Sequence, residues 1–375
     1  MINLRGVLLM LRSVLLVLVL SNAQPVTAQE VVTTDAGPAR ISQVVGDLDT
    51  PWAFGFLPGG AMLVTERPGR LLYIAADGSR HEIVGLPEIA ARGQGGLLDL
   101  LIPLDFSRNR EIFLTFSEPH GRTVGTAVLR ARLSDDNRHL RNTSTIFRMS
   151  EFSDLERHFG SRLAEAPDRT LFVTIGERGD RPSAQDLQRH NGSIVHITRD
   201  GGPAPGNPDL GADTLPEIWS FGHRNPQGLA FDLNGQLWAI EHGARGGDEL
   251  NRIRKGANYG WPVIAYGRHY SGLPIGEGTH KPGMEQPEFY WDPSIAPSGM
   301  TFYSGRLWPE WRGDLFVGSL KFDYISRLEG SPLREAEQIQ TPQAGRVRDV
   351  REAPDGSLFF LSVDTGALYR ITPAQ

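Results

Sequence analysis

Several short segments carry more hydrogen-bonding and ionisable side chains than a plain connector needs. The densest is Phe221-Gly-His-Arg-Asn-Pro-Gln-Gly228, where His223, Arg224, Asn225 and Gln227 fall within five positions. An arginine there can fork onto a carboxylate, and Asn225 can donate to a carbonyl or a ring oxygen. A loop that bonds only its own backbone would use the same residues. Next come Glu241-His-Gly-Ala-Arg-Gly-Gly-Asp-Glu249 and Asn258-Tyr-Gly-Trp-Pro262. Carboxylates spaced among glycines suit calcium, a hard ion taking six to eight oxygens, because glycine lets bare carbonyls turn inward. The spacing does not match an EF-hand loop, and a solvated acidic turn would look similar. His158, in Arg157-His-Phe-Gly-Ser-Arg-Leu163, offers an imidazole that can act as a general base. Glu177, in Ile175-Gly-Glu-Arg-Gly-Asp180, is the carboxylate that could orient it and stabilise its protonated form. A structural histidine is the competing reading, and nine other histidines compete with His158 for the role. The C-terminal third adds Lys321, Arg346 and Arg348. In an extended segment the last two would point to one face and grip an anion together, although a solvated edge also carries alternating charge.

These segments share a placement. After the first thirty or so residues the chain repeats one phrase: a short apolar run, a turn of Pro, Asp, Asn or Gly, and a second apolar run, which reads as a hairpin. Clear copies start at Trp52, Leu163, Leu229 and Val350, and weaker ones lie around Asn109 and Gly313. With Gly60, Asn109, Asp168, Asn234, Gly313 and Asp355 as turn markers, six units recur at a mean spacing of about 59 residues. Spacing of this order without a long helical period predicts an all-β six-bladed β-propeller with four antiparallel strands per blade. A large sandwich or a β-helix is the alternative. His158 and the 221–228 segment stand immediately before hairpins, hence at blade entrances, and Glu177 follows the strand that ends the His158 hairpin, so it can return to the same face. The longest loops fall between Asp232 and Gly313, where a propeller would build its site.

Composition narrows the classes. With 38 Lys plus Arg against 44 Asp plus Glu the net charge is -6, which argues against a nucleic-acid binder. In such an acidic chain, three or four cations at blade ends would form a local positive funnel suited to a small polyanion. Cysteine is absent, so disulfides, thiolate metal sites, iron–sulfur clusters and cysteine nucleophiles drop out, and any metal must be held by oxygen or imidazole. Arg5 and Arg12 flank the start of an apolar stretch, Val14 to Leu20, and Val26-Thr27-Ala28 offers the small residues of a cleavage site. The apolar run is too short to cross a bilayer, which takes roughly 20 residues. Residues 1–28 therefore read as a cleaved signal peptide and residues 29–375 as one soluble, exported propeller domain without a membrane span. The leader holds two of the cations and no acid, so the mature charge falls to -8.

Taken together the segments resemble the soluble pyrroloquinoline quinone (PQQ) dependent sugar dehydrogenases, the glucose and sorbosone dehydrogenase family, and within it the bacterial aldose sugar dehydrogenases. The resemblance runs from Leu48-Asp-Thr-Pro-Trp52 to Leu368-Tyr-Arg-Ile371, through Gly93-Gln-Gly-Gly-Leu97, the His158 segment, Gly222–Gly228, Asn258–Pro262 and Arg346-Val-Arg-Asp-Val350. It implies PQQ and calcium on the top face of the propeller. By this resemblance His158 takes the proton of the anomeric hydroxyl of an aldose while the C1 hydride passes to PQQ, giving a lactone. Arg224 and Asn225 would hold the quinone side of the cofactor, Gln94 would touch cofactor or substrate, and Lys321, Arg346 and Arg348 would face its carboxylates. The carbonyls of Gly243 and Ala244 would bind the calcium that polarises PQQ, and Glu249 and Tyr259 match a second, structural calcium position. Three residues depart from the pattern: Glu177 stands where many relatives have Asp, Ser161 replaces a Gly, and Ala244 replaces a Pro. The implied partners are aldose sugars and an external electron acceptor in the periplasm or outside the cell, with monomer and homodimer both open. Two other classes compete, a propeller binding module without redox chemistry and a calcium-dependent lactonase. A bare scaffold would not need His158, Arg224, Lys321, Arg346 and Arg348 together, and a lactonase leaves the cations unexplained.

Overall fold

Every one of the six turn markers sits between the first two strands of an antiparallel sheet. Six such sheets make up residues 30–374, the part of the chain that the computed structural model describes. The expected leader over residues 1–28 lies outside the described residues. The blades open with Pro51–Phe56, Leu97–Leu101, Leu163–Glu165, Pro226–Phe231, Pro297–Phe302 and Val347–Glu352, numbered blades 1 to 6 in that order. Each opening strand packs against the next and the last against the first, so the sheets close into the six-bladed propeller that the repeat predicts.

Blades 1 to 5 each take four consecutive strands. Blade 6 is built differently. Its three C-terminal strands, Val347–Glu352, Leu358–Ser362 and Ala367–Pro373, are completed by Gly37–Val45, which pairs with the last of them from Ala39 opposite Pro373 to Val45 opposite Leu368. Glu30–Thr34 adds a fifth strand at the outer edge. The ring is thus closed by backbone hydrogen bonds between segments more than three hundred residues apart.

Both faces of a blade must be covered, and the core shows how. Six apolar clusters lie one at each junction between neighbouring blades. Phe54 and Val64 of blade 1 meet Leu361 and Leu368 of blade 6, for example, and Phe172 of blade 3 meets Leu229 and Ala239 of blade 4. Strands such as Leu171–Ile175 and Leu315–Ser319 are accordingly buried at every position, which is why they read as continuous apolar runs rather than alternating ones. Truncating a fully buried ring such as Phe316 or Phe360 should cost about 3–5 kcal/mol. No single blade could bury both of its faces alone.

Candidate functional site

In an antiparallel blade the segment entering the first strand and the segment leaving the second emerge on the same face. Residues from those segments in all six blades line one cavity of about 1310 Å³. Trp52 comes from blade 1, Gln94 from the approach to blade 2, Phe159 and Gly160 from that to blade 3, and Asn225 from that to blade 4. Ala296 precedes blade 5 and Arg346 blade 6. The long connection over residues 253–288 of blade 4 folds across the same face and supplies Tyr266, Arg268 and Tyr270. The longest loops, expected between Asp232 and Gly313, thus border this cavity.

His158 lies just behind Phe159 and Gly160, its side chain 12% exposed. Its backbone is left-handed, with φ +54°, a conformation rare outside glycine. Two contacts hold it there. The His158 N–H donates to Oε1 of Gln94 at 2.8 Å, and the His158 carbonyl lies so close to Gly176 that a Cβ on that glycine would fall 1.9 Å from it. Any residue larger than glycine at 176 would push the loop away. On the ring, Nδ1 is hydrogen-bonded to Oε1 of Glu177, whose side chain is 1% exposed. The longer arm of Glu177 thus reaches the imidazole. With Nδ1 donating to a carboxylate, Nε2 is the unprotonated nitrogen and has no protein partner among the described residues. Burial lowers the His158 pKa and the Arg224 charge lowers it further, against the opposing pull of Glu177. The ring is neutral at physiological pH and can accept a proton.

Arg224 is buried, and burial lowers its pKa while the Glu177 charge supports it. Its Nη1 donates to the His242 carbonyl at 3.1 Å, its guanidinium stacks 5.3 Å from the Trp261 ring centroid, and its Nε has no protein partner. Oδ1 of Asn225 accepts from the Gly160 N–H at 3.1 Å, which ties the 225 loop to the His158 loop. His242, which sequence reasoning did not single out, also lines the cavity. Burial pulls its pKa down to about 3, and it donates Nε2–H to the Pro297 carbonyl at 2.7 Å.

Cations dominate the wall. Arg67, Arg245, Arg268, Lys321, Arg346 and Arg348 line the cavity against Asp292, Asp323 and Asp364, an excess of three positive charges in an acidic protein. Burial lowers the Arg348 pKa to about 9, and the neighbouring Arg162 and Arg346 charges add to that shift, so an anion here would relieve a real repulsion. Arg348 is held by Oε1 of Gln227 at 3.1 Å. The extended pairing expected for Arg346 and Arg348 is not what forms. Arg346 is left-handed, with φ +46°, and the register slips between Val347 and Asp349, so Arg348 sits at a bulge. Both side chains reach the cavity through that irregularity, not through a strand period of two. Arg67 was missed, yet it had a signal: it follows the second strand of its blade, just as His242 and Lys321 do.

The Glu241–Glu249 segment forms a tight glycine turn. A Cβ on Gly243 would fall 2.3 Å from the carbonyl oxygens of both Gly246 and Gly247, so only glycine lets these oxygens crowd together. A cavity of about 20 Å³, lined in part by Gly243, Ala244, Glu249 and Tyr259, lies beneath. Burial raises the Glu249 pKa to about 8 and the adjacent Glu241 carboxylate adds to it, so a cation would be welcome. Among the described residues no three His, Asp or Glu side chains converge on one point, so a metal would need backbone carbonyls. The Tyr259 hydroxyl is taken: it donates to the Arg252 carbonyl at 2.6 Å and accepts from the Arg254 N–H at 2.9 Å. Only its carbonyl could serve a metal. Asp248, also missed, accepts from the Gly243 N–H, the Ser294 hydroxyl and the Ala296 N–H, and so fastens this turn to the blade 5 entrance.

Known proteins resemble this chain in sequence and fold. The chain is 41% identical over 351 residues to the aldose sugar dehydrogenase YliI of Escherichia coli, covering 90% of this chain and 94% of that protein. The crystal structure of the soluble aldose sugar dehydrogenase of Escherichia coli in its apo form superposes with a TM-score of 0.87 at 40% identity, covering 90% of this chain and all of that one. The PQQ-bound form of aldose sugar dehydrogenase from Streptomyces coelicolor gives a TM-score of 0.74 at 27% identity, over 93% of this chain and 99% of that one. The family model described as glucose / sorbosone dehydrogenase matches residues 48–370, and the chain belongs to that family.

Proposed function

We propose that the protein is an exported, PQQ- and calcium-dependent aldose dehydrogenase that oxidises the sugar at C1 to a lactone. One observation carries the reading: a neutral imidazole with Nδ1 committed to Glu177 and Nε2 unengaged lies just behind Phe159 and Gly160, two lining residues of a cavity whose wall has three more cations than carboxylates. His158 Nε2 takes the proton of the C1 hydroxyl, and Glu177 stabilises the imidazolium that results. PQQ, when bound beside calcium, supplies the two-electron oxidant for the hydrogen on C1. Lys321, Arg346 and Arg348 would hold the carboxylates of a tricarboxylate ligand, Arg224 and Asn225 would bind its quinone side, and Gln94 keeps His158 in place while lining the same cavity. The Gly243 and Ala244 carbonyls would hold a calcium that polarises the cofactor, and Glu249 with the Tyr259 carbonyl would hold a second. The electrons leave to an acceptor outside the protein.

The test is dye-linked oxidation of glucose and other aldoses by the purified mature protein, whose N-terminus should read Gln29. Activity should require PQQ and calcium together, and His158→Ala should lower kcat by about 10²- to 10⁴-fold while the protein retains as much PQQ after desalting. Full turnover in His158→Ala would remove the base. Inactivity on every aldose, with no quinone absorbance retained, would remove the dehydrogenase reading.

A further inference from the structure

Next to Glu177 stands a buried charge that the proton transfer does not use. The Arg178 side chain is fully buried, with 0% exposure, and among the described residues no carboxylate oxygen forms an ion pair with it. Burial lowers its pKa to about 9, only partly offset by the Glu177 charge. A guanidinium normally avoids such a place. Its donors go to backbone carbonyls instead: Nη1 to Arg157 at 2.5 Å, Nη2 to Leu155 at 2.5 Å and to Val124 at 3.3 Å. Its flat face lies 3.5 Å from the centroid of the Phe159 ring, and its backbone N–H donates to the His158 carbonyl at 3.3 Å. Every residue from 157 to 159, and Leu155 besides, touches this one arginine.

We propose that Arg178 is the positioning residue of the catalytic base: its fork and its flat face clamp the loop on both sides of His158, so that Nε2 keeps one heading towards the substrate. The inference rests on His158 being the base. Residues 177 and 178 then divide the task. Glu177 sets the tautomer and tilt of the ring, and Arg178 sets the loop that carries it. The loop needs such a clamp because His158 at φ +54° and Arg178 at φ +62° are both left-handed, and each would relax to an ordinary conformation if released. Lysine cannot replace the clamp, since a single ammonium cannot reach three carbonyls while stacking flat on a ring.

The experiment compares wild type, Arg178→Gln, Arg178→Lys and His158→Gln. Two readouts are taken: dye-linked glucose oxidation after reconstitution with PQQ and calcium, and imidazole titration by NMR in the apoprotein, with the His158 signal assigned by its loss in His158→Gln. Arg178→Gln should lose about 10²-fold in kcat, the cost of misplacing a reacting group by about 1 Å, with KM changed by less than about threefold. Its His158 titration should move up towards 6.5 as the ring leaves its buried slot. Arg178→Lys should follow in the same direction, and it carries the test if Arg178→Gln does not fold. A lower melting temperature with wild-type kcat and an unmoved His158 titration would make Arg178 merely structural and overturn the proposal. Wild-type turnover in His158→Gln would instead sink the base assignment, and the NMR titration of the Arg178 variants would still decide whether the arginine positions the ring.

Discussion

The corner around His158 and the wall around Arg346 answer different physical demands. At His158 every degree of freedom is taken: the N–H by Gln94, the carbonyl side by Gly176, Nδ1 by Glu177 and the flanking loop by Arg178. At the wall, Lys321 and Arg346 are exposed, and Arg346 reaches the Leu320 carbonyl and Asp364 only at 3.0 and 3.8 Å. Moving a proton demands one heading held to fractions of an ångström, because the barrier depends steeply on geometry. Holding an anion demands only charge nearby, because Coulomb attraction falls off slowly and a long side chain can follow its ligand. Under the proposed function, the tightest restraints are concentrated where a bond would break.

The largest break in that contrast should come from Glu177→Gln, which leaves the shape and removes the charge. An amide can offer Nδ1 an N–H instead of an acceptor and so favour the wrong tautomer. The expected loss is about 10²- to 10⁴-fold in kcat, with PQQ retention unchanged. The pH profile adds a sign. In the wild type the His158 pKa is lowered, so the acid limb of kcat/KM should lie below 6.5. Glu177 is the group that raises that pKa, so the limb of the residual activity should move to still lower pH. A limb that stays put would mean that another group limits the rate.

A smaller effect is expected at the wall, and in the other parameter. Arg348→Ala removes a half-buried guanidinium held by Gln227 beside the Trp52 ring, and PQQ affinity in reconstitution titrations should fall by about 10- to 100-fold. Arg346→Ala removes an exposed one, and the fall should be only a few-fold. Neither change should lower kcat at saturating cofactor by more than a few-fold. A large kcat loss with intact affinity would erase the distinction between the two regions.

What the sequence made legible follows the range of the interactions. The hairpins were readable because a turn of Asp, Asn or Gly between two apolar runs is decided by neighbours in the chain, so all six markers fell at the same place in their blades. The strand Gly37–Val45 was not assigned to the last blade, since its partner Ala367–Pro373 lies at the far end of the chain and nothing local names it. Among the candidate site residues, His158, Glu177, Arg224, Asn225 and the C-terminal cations are legible as polar groups beside hairpins; Asn225 and the cations line the main cavity, His158 with Glu177 lies just behind its wall at Phe159 and Gly160, and Arg224 borders the small cavity beneath the glycine turn. Arg67 and Arg178 were overlooked because each looks like an ordinary charge after a strand. Only the return of that segment to the site face gives them a purpose. The bend at Arg346 was unreadable because a left-handed arginine has no signature of its own.

Ser161 offers the finest cut between the two regions, because it lies at the rigid corner yet carries no chemistry. It is fully buried with φ +85°, a conformation that costs a residue with a Cβ about 1–2 kcal/mol. Its hydroxyl recovers part of this by donating to the Phe159 carbonyl at 3.1 Å, a bond worth about 0.5–1.5 kcal/mol net. Glycine in the unfolded chain would give back about 0.5–1 kcal/mol through its extra freedom. Strain relief of about 1–2 kcal/mol and losses that total about 1–2.5 kcal/mol therefore nearly cancel, and Ser161→Gly should shift the melting temperature by no more than about 3 °C with kcat unchanged. If kcat falls while the melting temperature holds, the hydroxyl on the Phe159 carbonyl is one more restraint on the His158 loop. The corner would then be tighter than its four named contacts require.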